Sequence, residues 1–454
     1  MNTPVVDFVR RYGDSGTVRL HMPGHKGRPF LGFESWDITE IAGADALFEA
    51  QGILAQSEAN ATALFGSRRT FYSTEGSSHC IRAMLYLALT NRPQGASPTV
   101  VAARNVHRAF VSAAALLDLE VVWLWPEESR SLCGCPVSPK QLEKTLERLP
   151  APPAAVYLTS PDYLGARGDI AALAQVCHRH GTLLAVDNAH GAYLRFLSPS
   201  LHPLDLGADL CCDSAHKTLP VLTGGAYLHI AQGAPAALAE SGKTALALFG
   251  STSPSYLTLC SLDQCNQYLA EGYPARLEKT VAQLDTLRLQ LREAGWQVED
   301  SDPLRVTLRA PEGLTGTDLA ERLRRGGVEC EYADQDFLVL MATPENSQED
   351  FAQVLAALGK TQLPPAPLPR LPLARGRQVC SIRQAMFSPH RLIPAEESLG
   401  RVCGIPTVGC PPAVPIAVAG EEITPSALEL FRRYGVDWVD VLEPPLSPTP
   451  LSSP

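Results

Sequence analysis

No stretch of this 454-residue chain carries the uninterrupted apolar run that a membrane-spanning helix needs. Its first residues, MNTPVVDFVRRYGDSG, lack the basic and then apolar regions of a secretion signal. Both absences lead to the expectation of a cytoplasmic protein that uses no membrane. Positive charge is in the minority: 38 Lys and Arg face 48 Asp and Glu, a net charge of −10, which disfavours a nucleic-acid partner and suits cationic ligands. The 12 cysteines include no paired CxxC. Cys133 and Cys135 form only a CxC and Cys211 and Cys212 are adjacent, so neither resembles a zinc knuckle. Buried free thiols are the expectation. The chain is, by contrast, long enough to bury a sizeable core in two or three domains.

From about residue 70 to 230 amphipathic stretches alternate with short apolar runs. SHCIRAMLYLALT places Ile81, Met84, Leu85 and Leu89 at helical spacing, whereas PTVVAARN, AAVYLTS, TLLAVDN and ADLCCDS read as buried strands. This alternation predicts an α/β domain with a mostly parallel central sheet flanked by helices. DIAALAQVCHRHG predicts a helix with Asp169 as N-cap and Gly181 as its stop. A long helix follows, ARLEKTVAQLDTLRLQLREAG, with Leu277, Val281, Leu284, Leu287 and Leu291 along one stripe. Next comes a smaller α+β region: the strand LRVTLRA, a helix near Thr317–Arg325, strands VECEYA and FLVLMA, and a helix near Ser347–Leu358. QLPPAPLPRLPLARG breaks every pattern and reads as a linker. The expected organisation is an N-terminal arm (1–60), a large domain (61–270), a small α+β domain (271–361), the Pro-rich linker (362–376), a C-terminal domain (377–444) and a disordered tail (445–454).

In a parallel α/β sheet, function gathers at the carboxyl ends of the strands. His107 follows VVAARN, Asp187 follows LLAV, and Ser214, His216 and Lys217 follow ADLCC. A single strand-end Asp is often a cap and a lone His often structural; recurrence on successive strands is harder to dismiss. TEGSSHCIRAML adds a Gly76-Ser77-Ser78 turn opening a helix, where backbone N–H groups, hydroxyls and the helix dipole suit a phosphate. A phosphate cradle, a strand-end carboxylate, an imidazole and a buried lysine are together the parts needed for pyridoxal 5'-phosphate: Asp187 to protonate the ring nitrogen, His107 to cover a ring face and Lys217 to hold the aldehyde. Two other patterns fail. ESGKTA has Ala237 where a P-loop needs its first glycine, and Pro23 and Gly24 separate His21 from His25, so they cannot form a helical metal pair.

SAHKTLPVLTGG resembles the segment around the cofactor lysine of the prokaryotic ornithine/lysine/arginine decarboxylases, which are fold-type-I pyridoxal-phosphate enzymes. HMPGHKG, RNVHRAF, TSPDYLGARGDI, VDNAHGAYLRF, STSPSYLTLCSLD, GVECEYAD and GCPPAVPIAVAGEEIT resemble further family motifs in the same order. The resemblance covers most of the chain, without the N-terminal regulatory domain of longer members. It implies the fold-type-I architecture, with a cofactor-binding large domain and a decarboxylase-type C-terminal domain. It implies Lys217 as the cofactor lysine, Asp187 as the partner of the ring nitrogen and His107 as the stacking imidazole. Gly76, Ser77, Ser78, Ser214 and His216 are implied around the phosphate, and Ala189 and His190 along the ring. It further implies a homodimer or higher homo-oligomer with the site at the interface, Ser251, Thr252 or Ser253 of the other subunit reaching the phosphate.

Departures from the pattern fall at Glu75 (for Asn), Asp162 (for Thr), Asn188 (for Glu), and at His79, Cys410 and Ala413; they put substrate geometry in doubt. The implied reaction is α-decarboxylation of lysine, arginine or ornithine to the corresponding amine and carbon dioxide, with Lys217 or His216 returning the proton. Transamination or elimination on the same fold, and a catalytically weak regulatory homologue, stay open as alternatives. Glu331 and Glu421 are candidate readers of the substrate's distal cation.

Overall fold

The structure, a computed structural model, describes residues 1–92, 94–406 and 412–443. Cys410 and the expected tail at 445–454 lie outside the described residues. The apolar runs form strands β1 (Arg69–Ser73), β2 (Ser97–Ala103), β3 (Glu120–Leu124), β4 (Pro153–Thr159), β5 (Leu183–Asp187), β6 (Leu210–Asp213) and β7 (Ala226–Ile230). They make a seven-stranded sheet in the order β1-β7-β6-β5-β4-β2-β3. β2 pairs with β3 and β5 with β6 in parallel, whereas β7 runs antiparallel to both β6 and β1. The link from β6 to β7 holds one helical turn, Ala215–Thr218, instead of the crossover helix that parallel returns use, so β7 comes back alongside β6 in the opposite sense.

Two compact units can be distinguished. The first comprises residues 1–96, 154–156 and 169–279. Here the helix Gly76–Thr90 buries Ile81, Met84 and Leu85 as its periodicity predicts, together with Cys80 and Ala88, whereas Leu89 is only partly buried. Asp169 caps the helix Ile170–Arg179 by accepting the Ala172 N–H at 3.1 Å, and Gly181 takes a left-handed φ of 64° just beyond it. The N-terminal helix Pro4–Asp14 is pinned by a buried carboxylate: Asp263 Oδ2 accepts the N–H groups of Val5 and Val6 at 2.9 and 3.0 Å.

The second unit comprises residues 97–153, 157–168 and 280–454. Its antiparallel sheet contains β8 (Gln297–Glu299), β9 (Arg305–Arg309), β10 (Tyr332–Ala333) and β11 (Phe337–Met341), ordered β10-β11-β9-β8, beside the helices Gly316–Arg325 and Gln348–Leu358. VECEYA is shorter as a strand than expected, because only Tyr332 and Ala333 pair along the sheet edge. In the long helix Tyr273–Glu293, Leu277, Leu284, Leu287 and Leu291 are buried, and Val281 is only partly so. Residues 362–376 hold no helix or strand beyond isolated bridges at Pro365 and Leu371. A last sheet pairs β12 (His390–Pro394) with β13 (Trp438–Leu442) over Phe431, Val439 and Val441. Among the described residues eleven cysteines are free and most are buried. No helix among them is long and apolar enough to cross a membrane.

Candidate active site

Strand β6 ends at Asp213, and the chain turns at once through Ser214 into Ala215–Thr218. That turn brings the Lys217 side chain beside the loop after β5, where Nζ lies 2.8 Å from His190 Nε2. Lys217 is partly buried, less enclosed than the sequence suggested. The imidazole bonded to Lys217 is thus His190, 27 residues away, whereas His216 Nδ1–H donates to the Gly225 carbonyl at 3.0 Å. Asp187, at the end of β5, is 2% exposed. Its Oδ1 accepts the Ala189 N–H at 3.1 Å and lies 3.7 Å from the Cys212 thiol, which fixes the plane of the carboxylate.

Gly76 opens the helix Gly76–Thr90 with a φ of 72°, and its N–H donates to the Gly224 carbonyl at 2.7 Å. No side chain caps this helix, so with the Gly76 N–H taken the N–H groups of Ser77 and Ser78 remain for an anion. Ser214 Oγ donates to Ser77 Oγ at 2.8 Å, which leaves the Ser77 proton to point elsewhere. Ser77, Ser214, Lys217, His190 and Asp187 thus converge from β5, β6 and one helix start within the first unit, and Ser78 follows Ser77 in the same turn. An uncapped anion-binding turn beside an amine in contact with an imidazole is a donor set that fits pyridoxal phosphate.

Glu75, the carboxylate that stands for Asn before that turn, is directed at the backbone: its Oε1 accepts the Ser251 N–H at 2.6 Å within the same chain. Thr252 is exposed next to it. His79 is buried, bonded through Nδ1 to Ser73 Oγ at 2.8 Å and through Nε2–H to the Leu246 carbonyl at 2.7 Å. Burial lowers its pKa, which suits this neutral two-bond arrangement.

Sequence reasoning missed a buried cluster beneath the site. Asp213 Oδ2 accepts from both His202 Nε2 and His229 Nε2 at 3.1 Å, and Oδ1 accepts from Asn188 Nδ2 at 2.7 Å. Burial alone would raise the Asp213 carboxyl, but the two facing histidines outweigh it and hold the group well below the usual carboxylate range. Asn188 therefore ties the residue after Asp187 to the residue before Ser214. Gly191 has to be glycine here, since a Cβ would stand 2.1 Å from Asn188 Oδ1. The one visible signal was a histidine inside the apolar strand AYLHI, a polar group that needs a buried partner.

A profile described as "Orn/Lys/Arg decarboxylase, major domain" matches residues 3–308. The chain belongs to this family. It is a pyridoxal-phosphate-dependent decarboxylase acting on a basic amino acid. Over 459 residues it is 26% identical to an arginine decarboxylase of Bacillus subtilis, covering 93% of this chain and 91% of that protein. It is 27% identical over 466 residues to the uncharacterized protein YaaO of the same organism, covering 95% and 94%. The fold is similar to that of a Francisella novicida lysine decarboxylase at a TM-score of 0.79 and 15% identity, covering 97% of this chain and 81% of the other. A lysine decarboxylase from Pseudomonas aeruginosa gives 0.79 at 16% identity, covering 97% and 80%.

In the second unit of this decarboxylase, His107 caps the helix Arg108–Leu117, its Nδ1 accepting the Ala109 N–H at 3.2 Å, so a neutral ring carries its proton on Nε2. Ala413 holds a left-handed φ of 58°, strained for a residue with a Cβ, and its carbonyl accepts the Arg108 N–H at 2.9 Å. Glu421 does not stand open to a ligand. It is 3% exposed and pairs with Arg104 at 3.2 Å, whose guanidinium lies 5.1 and 5.0 Å from the rings of Trp123 and Trp125. Glu331 accepts from Tyr163 Oη at 2.8 Å.

Proposed function

We propose that this enzyme decarboxylates arginine to agmatine, with Lys217, His190 and Asp187 as its central groups. The contact that carries the reading is Lys217 Nζ to His190 Nε2 at 2.8 Å, beside an uncapped helix start. The choice among basic substrates is supported by sequence relatives named arginine decarboxylase that align over more than nine-tenths of the chain. Pyridoxal phosphate, when bound, supplies an aldehyde that condenses with amines and a ring that accepts an electron pair.

Lys217 Nζ is the amine for that aldehyde, and an amine attacks only when neutral. His190 Nε2, 2.8 Å away, would take its proton and return it. Asp187, whose Oδ1 accepts the Ala189 N–H, is proposed as the carboxylate that holds a proton on a ring nitrogen. Ser77, Ser78 and Ser214 would bind the phosphate, with Gly76 allowing the close approach and Ser251, Thr252 or Ser253 of a second subunit reaching it. His107 is proposed as the imidazole against the ring and Ala189 as part of its bed. His216, whose Nδ1–H donates to the Gly225 carbonyl, is proposed on the phosphate side, where a protonated ring would donate.

A second copy of the chain is part of the proposal: Val18, Leu20, Phe30 and Leu31 of the N-terminal arm are about 80–90% exposed, an apolar surface that favours a partner. Free cysteines are in keeping with a reducing, cytoplasmic setting. The purified protein should show a cofactor absorbance band that Lys217→Ala removes, and should release carbon dioxide from arginine faster than from lysine or ornithine. Keto-acid formation would indicate transamination, and a band without turnover of any basic amino acid would indicate a regulatory homologue.

A further inference from the structure

A cavity of about 630 Å³ opens within the second unit, and none of its lining residues belongs to the cofactor set. Glu127, Glu128, Asp162, Glu299 and Asp300 line it, with Arg130 the basic side chain among them. Glu128 is paired with Arg370 at 3.4 Å and Glu299 with Arg309 at 3.1 Å. Glu127, Asp162 and Asp300 have no salt bridge among the described residues, which leaves the cavity an excess of negative charge. Between the carboxylates the wall is apolar, with Val137, Leu164 and Phe337.

Acidic side chains at a surface are ordinary; Asp162 is not. It is 7% exposed, and Oδ1 accepts the N–H groups of Leu164 and Ala166 at 2.9 Å each. Its Oδ2 has no hydrogen-bond partner among the described residues and faces Gly134, where a Cβ would stand 3.3 Å away. Both residues line the cavity, so the glycine leaves this oxygen accessible from it. Burial pushes the Asp162 carboxyl up to about 6. Keeping such a group charged at neutral pH opposes folding, which is expected of a group retained for binding.

We propose that this cavity is a second ligand site, for a linear aliphatic diamine or amino-guanidine cation. Carboxylates at several positions with apolar wall between them match a methylene chain that carries a cation at each end. A hydrated metal ion would gain nothing from the apolar wall, and the carboxylate of an intact amino acid would be repelled by the surplus acid. Recognition of the cation rests on the cavity alone; assigning it to the product class of the enzyme rests on the decarboxylase reading.

Calorimetric titration of agmatine, putrescine and cadaverine into the cofactor-loaded full-length enzyme tests the site, in parallel with Asp162→Asn, Gly134→Leu and Asp300→Lys. Thermal melts and the cofactor absorbance band report on folding, and Asp300, on the exposed rim, keeps the test valid if a buried variant does not fold. At least one amine should bind saturably, with affinity ten-fold or more weaker in each folded variant, while magnesium chloride should not compete. Absence of binding by all three amines, equal binding by wild type and variants, or equal competition by magnesium would overturn the site. Carbon dioxide release from arginine is measured separately, so a failed decarboxylation reading is distinguished from a failed cation site.

Discussion

Asp162 sits in a balance that its neighbours do not close. An aspartate in an unfolded chain titrates near 4, and burial raises this one to about 6 in the folded protein. The folded state therefore binds the proton more tightly, and stability falls as pH rises from the unfolded value through about 6, with the full penalty above that. About two pH units correspond to roughly 3 kcal/mol. Asp162→Asn keeps an Oδ1 acceptor for Leu164 and Ala166 and cannot ionise. Its urea midpoint should exceed that of wild type at pH 8 and match it near pH 4; an equal difference at both pH values would refute the assignment. Asp162 was legible only as an odd residue after Ser160-Pro161, because its burial depends on Gly134 and on the nearby Arg305 and Asp302. Lys217, Asp187 and the Gly76-Ser77 turn were legible because each stands where an apolar run stops. Glu421 was misleading: nothing local shows that Arg104, 317 residues away, has taken it.

At the scale of elements, periodicity and caps carried most of the information. Asp169 and Gly181 bracket their helix as read, and the helices at Gly316 and Gln348 begin within one residue of expectation. The same logic makes a prediction at the helix Pro425–Arg433, where Thr424 Oγ1 accepts the Ala427 N–H at 3.2 Å. Thr424→Ala should cost about 1 kcal/mol in chemical denaturation, and Thr424→Ser should recover most of it. A loss equally large in the Ser variant would point to packing of the threonine methyl instead. The direction of β7 and the length of β10 were not legible, since an apolar strand carries no record of the sense of its neighbour or of whether it lies at an edge. The helix start at Gly76 shows the converse case: its missing cap is a local fact with a functional meaning.

For the whole molecule, the exposed apolar side chains of the N-terminal arm predict that assembly and activity are linked. Leu20→Glu combined with Phe30→Glu should shift the sedimentation profile toward monomer and reduce specific activity at low protein concentration, with partial recovery as concentration rises. Unchanged sedimentation would remove the arm from the interface. By itself the sequence determined which candidate residues stand at strand ends, turns and caps and in what order they occur, because those features are written in local patterns of a few residues. Only the tertiary structure decided which of them touch. Lys217 meets His190, Ser77 meets Ser214 across 137 positions, and Asp213 gathers His202, His229 and Asn188. Those pairings follow from β7, β6 and β5 lying side by side, and strand order is set by how the whole chain buries its apolar faces, which no local window contains.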